Sequence, residues 1–345
     1  MQNGDWNLGY FAFGQYNGAA LTFGQVKSGI YCLSEPDTTF ADGEYGDAVL
    51  PGEDGVRFGR DYQRNGTVTF ELGVDTVDAP VDRHFPPAWT KAGVLIGDWP
   101  DDPAILKKLK ATGNPWSWNE DGLNMLRQVW RADAVRFGST SRLGWLSHMV
   151  AGHSRRLYGR PRKFSVSHSR LTRQGYTPVV ATFDAVDDRF YDDVAKYAEM
   201  WDRVPGTVPP RPGRPAPPAA PSKKSAAVSS AGRTPSWAVI TITGPCLNPK
   251  VTLGSWWTVE LSTLIADGES VVIDARPWER TALLVKANGS KVSVADKLTR
   301  ASPRLAELIV PPGNWTATMA HTKLPALPGT GPTVEVSWRD AFTWW

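Results

Sequence analysis

The chemistry-bearing residues of this 345-residue chain fall into a few short clusters. His148 and His153 stand five apart. That is neither the spacing of one helix face nor a common ligand spacing, and no Cys or carboxylate lies nearby to complete a zinc set. Asp184, Asp187, Asp188, Asp192 and Asp193 crowd together, but they lack the alternating Asp/Asn pattern, the turn glycine and the closing Glu of a calcium loop. They suit the capping and first-turn positions of a helix over 188–203. Arg155, Arg156, Arg160, Arg162 and Lys163 form a basic cluster. Phosphate could meet it, but nothing in the pattern supplies an element for groove entry, and a salt-bridge face toward another protein is the preferred reading. Cys32 and Cys246 cannot staple a chain of this size or build a zinc site alone, and read as free buried thiols.

The sequence has no Gly-x-x-x-x-Gly-Lys-Ser/Thr, no strand–GxGxxG–helix, no His-Glu-x-x-His and no Gly-x-Ser-x-Gly. Two carboxylates facing a cleft could serve a glycosidase, and 35 acids leave that pairing open. The expectation is a protein that is not an enzyme, with no catalytic residues, no cofactor and no metal. Two tryptophan pairs, Trp256-Trp257 and Trp344-Trp345, are candidate contacts for glycan or protein. Adjacent residues of a strand face opposite sides, so one of each pair is expected outside.

The elements that must hold these residues are mostly strands. Sixteen Trp, 32 Gly and 28 Pro with few long helical patterns favour turn-rich β structure. Val68, Phe70, Leu72 and Val74 alternate with polar residues as in a half-buried strand. Leu21 to Val26 and Ile30 to Ser34 flank Lys27-Ser28-Gly29, a hairpin signal. Helices are expected after Pro103, over Leu123 to Trp130 and over Asp188 to Arg203, the last with Phe190, Val194, Tyr197, Ala198 and Trp201 on one face. Strands are expected at 143–150, 164–168 and 176–183. Short strands at 237–243, 250–253, 257–261, 270–274, 282–287, 305–309, 316–319 and 334–338 follow, punctuated by turns such as Asn288-Gly289. They predict an antiparallel β-sandwich.

Residues 205–235 carry eight prolines before Ser222, no acid and no aromatic. This reads as a linker, stiff first and loose after, between domains at 1–204 and 236–345. Charge is uneven. Residues 1–102 hold 6 Lys and Arg against 16 Asp and Glu, and residues 103–173 hold 14 against 3. Complementary faces of a self-assembling ring would need such a split, with Arg155, Arg156, Arg160 and Arg162 as the ring-contact candidates, and intramolecular pairing would also give it. The net charge of +3 gives no footprint for sequence-specific nucleic acid. The longest apolar runs, such as 93–97 and 305–310, fall short of the ~20 residues of a spanning helix, so no membrane insertion is expected. The start, Met-Gln-Asn-Gly-Asp-Trp, has no basic segment or apolar core of a secretion signal.

Two sets of motifs resemble the distal tail proteins, also called minor tail proteins, of long-tailed bacteriophages, especially those of actinobacteria. The first runs through Val56-Arg57-Phe58-Gly59-Arg60-Asp61-Tyr62, the strand Thr67 to Val74, the Leu123 to Trp130 helix, Tyr158 to Arg162, Val180-Ala181-Thr182-Phe183 and Asp187 to Tyr191. The second runs through Ile240 to Pro249, Gly268 to Asp274, Asn288-Gly289 and Pro311 to Trp315. The resemblance implies a mainly β protein. Its N-terminal β-sandwich or barrel, with a few helices, would form a hexameric belt ring at the tube end, and a galectin-like antiparallel β-sandwich would follow. It implies a homo-oligomer joining the tail tube protein to baseplate hub and fibre proteins at the virion tail tip, assembled in the host cytoplasm. A rival reading is a carbohydrate-recognising adhesion protein.

Overall fold

The computed structural model describes residues 3–12, 15–25, 29–40, 47–49, 56–57, 66–75, 115–136, 143–174, 176–202, 222–322 and 331–343. The protein is mainly β, and it divides into two compact units, residues 1–193 and 194–343.

The first unit contains β1 (Trp6–Ala12), β2 (Gln15–Phe23), β3 (Ile30–Cys32), β4 (Asp37–Phe40), β5 (Ala48–Val49), β6 (Val56–Arg57) and β7 (Gly66–Asp75). After the helix Pro115–Arg131 come β8 (Gly144–Val150), β9 (His153–Val166), β10 (Tyr176–Ala185) and β11 (Phe190–Asp192). The main sheet runs β2-β1-β8-β9-β10-β7-β3, with β11 added to β9 and β4 to β7. It curls until its edges meet. Gly24, just past β2, bridges Tyr31 in β3, with Gly24 N–H donating to Ile30 C=O at 2.9 Å. The result is a nearly closed barrel.

Alternation explains β7. Val68, Phe70, Leu72 and Val74 are buried, and Phe183, Ala181 and Val179 of β10 lie directly opposite the first three. The helix buries Leu123, Leu126, Val129 and Trp130. Trp130 meets Phe23 and Phe70 edge-on and donates from Nε1 to Thr182 C=O at 3.1 Å. Tyr10 OH donates to Val129 C=O at 2.6 Å, which ties the end of the helix to β1.

The second unit contains β12 (Lys196–Trp201), β13 (Ser225–Ser230), β14 (Ser236–Trp237), β15 (Val239–Thr243), β16 (Cys246–Leu253), β17 (Trp257–Glu260) and β18 (Leu264–Ile265). They are followed by β19 (Ser270–Asp274), β20 (Thr281–Val285), β21 (Lys291–Ser293), β22 (Ile309–Val310), β23 (Gly313–Thr322) and β24 (Thr333–Trp338). A six-stranded sheet runs β12-β24-β15-β19-β20-β21, and a second runs β13-β23-β16-β17 with β18 on β16. Ile240, Ile242, Val271, Ile273, Val334 and Val336 of the first share one core with Val228, Val251, Leu253 and Val259 of the second.

Four expectations need correcting. Residues 196–201 form a strand, not a helix, because Ala198 and Met200 alternate inward and β24 supplies the ladder. Val194 and Tyr197, placed on a buried helix face by periodicity, are 68% and 66% exposed. The described residues flanking 27–29 do not pair as an antiparallel hairpin, since β3 takes its ladder from β7 and meets Gly24 only through a parallel bridge at the seam. Residues 305–307 make a 3-10 turn in place of a strand, with Arg304 N–H donating to Glu307 Oε2 at 3.1 Å. Of the segment 205–235 read as a linker, residues 225–230 are not loose: they form β13, paired with β23, with Ala226 and Val228 buried. Trp201 and Lys223 exchange backbone hydrogen bonds, each 2.8 Å, so both sides of 203–221 are tied to one another. Residues 203–221 themselves, and the helix expected after Pro103, lie outside the described residues.

Candidate functional site

The basic cluster lies on β9. It begins after a two-residue turn in which Ala151 and Gly152 both take positive φ, as a tight hairpin requires. Adjacent strand residues alternate sides, so four arginines close in sequence do not make one face. Arg156 is 2% exposed, and its guanidinium pairs with Asp193 and lies 4.8 Å from the Trp145 ring centroid. As a ring-contact candidate it is therefore corrected: burial and an internal acid take it off the surface. Arg162, with 55% of its side chain exposed, pairs with Asp184 at 3.2 Å. Arg155 and Arg160 are half-buried, opposite Asp192 and Asp184. Lys163 is exposed at an irregularity in the β9–β10 ladder, where its N–H donates to Thr182 Oγ1 at 3.0 Å.

The acids cap no helix. Asp184 accepts from Thr67 Oγ1 at 2.9 Å, and Asp193 accepts from Ser154 Oγ at 2.9 Å. Asp187 accepts from Tyr191 OH, and burial pushes its carboxyl up to about 6 against the pull of Tyr191 and Arg189. His148 stacks on Trp6 with centroids 3.9 Å apart. Burial pushes its imidazole down to about 4, opposed by Asp5. Both cysteines are free, Cys32 half-buried and Cys246 buried, and burial lifts each thiol to about 11. Among the described residues no group of three or more His, Cys, Asp and Glu converges as a metal site would need. No described helix is long and apolar enough to cross a membrane.

Trp257 is buried at the start of β17 and donates to Ile309 C=O at 2.7 Å. Trp256, 49% exposed in the turn before it, meets Trp315 edge-on at 5.5 Å. Trp344 and Trp345 lie outside the described residues. Sequence reasoning missed a polar hub at Asp202, which accepts from Lys224 at 2.7 Å, Ser222 at 2.7 Å and His321 at 3.0 Å. Burial pushes Asp202 up, but these donors outweigh it and hold the carboxyl at about 2. Its partners are up to 119 residues away, so only the fold reveals it.

No protein-family model matches the chain, and no curated protein matches it. Among solved structures it is similar to the Dit (gp 19.1) protein of phage SPP1, described as a paradigm of the hub adsorption apparatus in phages infecting Gram-positive hosts. That match has 12% identity and a TM-score of 0.44 over 98% of this chain and 99% of that one. It is also similar to a chain of the phage p2 baseplate in its activated conformation with Ca, at 8% identity and a TM-score of 0.47 over 97% of both chains. The Sr form gives 8% identity and a TM-score of 0.46 over 96% of this chain and 97% of that one.

Proposed function

We propose that the chain is a structural protein of a phage tail tip, a distal tail protein that forms a hexameric ring and joins the tail tube protein to baseplate hub or fibre proteins. The observation that carries this reading is the ordered run of tail-protein motifs through both units. Val180 to Phe183 lies in β10, Ile240 to Pro249 spans β15 to β16, Gly268 to Asp274 leads into β19, and Pro311 to Trp315 turns into β23. In this reading the chain works by assembly, without chemistry, and the second unit is a galectin-like sandwich. Antibody raised against the folded chain should decorate one end of the tails of virions that carry it. Label on the capsid, or absence of the chain from purified particles, would overturn the assignment.

A second reading, glycan recognition, is favoured by Trp256, whose half-exposed ring stands against Trp315. Sugars stack on such rings through their C–H faces. Binding to a glycan array that is lost in Trp256→Ala, with melting unchanged, would support it. An empty array would remove it.

A further inference from the structure

The two sheets of the second unit turn unlike faces outward. On the sheet of β13, β23, β16 and β17, one row across all four strands reads Ser225, Thr318, Thr252, Thr258. Thr252 and Thr258 bond through their hydroxyls at 3.0 Å. That row is polar.

The outward face of the six-stranded sheet is different. Val239, Val272, Leu283 and Val285 occupy outward positions there and are only half-buried. At its β12 side, Tyr197 and Trp201 flank Glu199. Glu199 stands directly opposite Glu335 across the β12–β24 ladder. Like charges directly opposed across strands are unfavourable. The nearby cations do not relieve them. Lys196 binds Asp340 at 2.6 Å, Lys224 binds Asp202 at 2.7 Å, and Lys223 lies over the Trp201 ring. Among the described residues neither carboxylate has a hydrogen-bond or ion-pair partner. A sheet face that leaves outward aliphatic side chains half-exposed and sets two unpaired carboxylates side by side breaks a local rule, and such breaks concentrate where a protein does its work.

We propose that this face docks another protein chain whose surface sets arginine or lysine among aliphatic residues. Its cations would lie on Glu199 and Glu335, with Tyr197 offering a ring face for an arginine, and its apolar side chains would lie on the Val239–Leu283 side. Charge complementarity selects this occupant. A neutral glycan would leave both carboxylates as they are, and an acidic surface would be repelled.

The test is titration calorimetry of the full chain with a synthetic peptide alternating Arg and Val, against a control alternating Ser and Val. The Arg/Val peptide should bind, weaken as salt rises, and lose about tenfold in affinity to Glu199→Gln/Glu335→Gln, two exposed charge pairs being worth roughly that factor. That variant relieves a repulsion, so its melting should stay equal or rise. Tyr197→Ala should weaken binding less. No binding by the natural chain, or equal binding by the double variant, would overturn the proposal. So would self-association of the chain that disappears in the double variant while the peptide goes unbound, since the occupant would then be a second copy.

Discussion

The two units bury charge differently. Residues 1–193 enclose a guanidinium, Arg156, as well as the acid Asp5. Arg156 is enclosed beside Trp145, while its acid Asp193 keeps some exposure. In residues 194–343 the acids go inside and the cations stay partly outside, as Lys196 does on Asp340 and Arg276 on Asp274. A long stem lets Lys or Arg reach a buried acid from the surface, but a buried guanidinium has no such escape. The first unit also sets Trp6, Phe23, Phe70 and Trp130 edge-on to one another, whereas the second packs mainly Val, Ile and Leu. The first unit therefore depends on geometry that a single change can spoil, and the second on volume.

The sharpest test of that contrast is Arg156→Met, which takes the guanidinium away from Asp193 and leaves it the Ser154 hydroxyl. Breaking a buried pair costs about 3 kcal/mol or more, so calorimetry should show the first unit melting well before the second. Equal melting of both units would mean that Asp193 is served as well by water. The counterpart in the second unit, Asp340→Ala, leaves the donors Lys196 Nζ, Ala231 N–H and Trp338 Nε1 without their acceptor. It should cost about 2 kcal/mol and lower only the second transition.

Acid should act on the two units through different groups. Between pH 6.5 and 4 the unfolded chain protonates at the position of His148 before the folded one does, which lowers stability as pH falls. Asp187 works the other way: its folded carboxyl takes a proton near pH 6, ahead of the unfolded value of ~3.9, which raises stability as pH falls. The two slopes oppose, so Asp187→Asn should leave the His148 slope alone and make the first unit melt several degrees lower at pH 4.5 than at pH 7. Asp202 in the second unit is held down, so its contribution is complete above the unfolded value and lost as pH falls through about 2. The smallest effect belongs to Gly289→Ala. Its φ of 80° strains any side chain although nothing lies within 4 Å of the added carbon, and the second unit should lose about 1 kcal/mol by chemical denaturation.

The sequence was informative where one residue's fate depends on its neighbours. Alternation from Val68 to Val74 marks β7, and Asn288-Gly289 marks the β20–β21 hairpin, which closes with Gly289 N–H donating to Lys286 C=O at 2.8 Å. It was uninformative where a distant partner decides. Lys196 to Trp201 reads equally as a helix face until β24 lies alongside it. The arginines of 155–162 hide a fourteen-residue strand, because charge masks its alternation. Arg156 looks like surface until Asp193, 37 residues on, reaches it. The Pro-rich composition of 205–221 gives no sign that the residues on its two sides are neighbours, which the Trp201–Lys223 bridge makes them.

The central claim is assembly, and the direct measurement is the mass of the purified full chain by analytical ultracentrifugation, with negative-stain images of the same sample. The account predicts a closed oligomer of identical subunits, six in number, seen end-on as a ring with a central opening. A monodisperse 37.8 kDa monomer at every concentration, with no ring in the images, would contradict it.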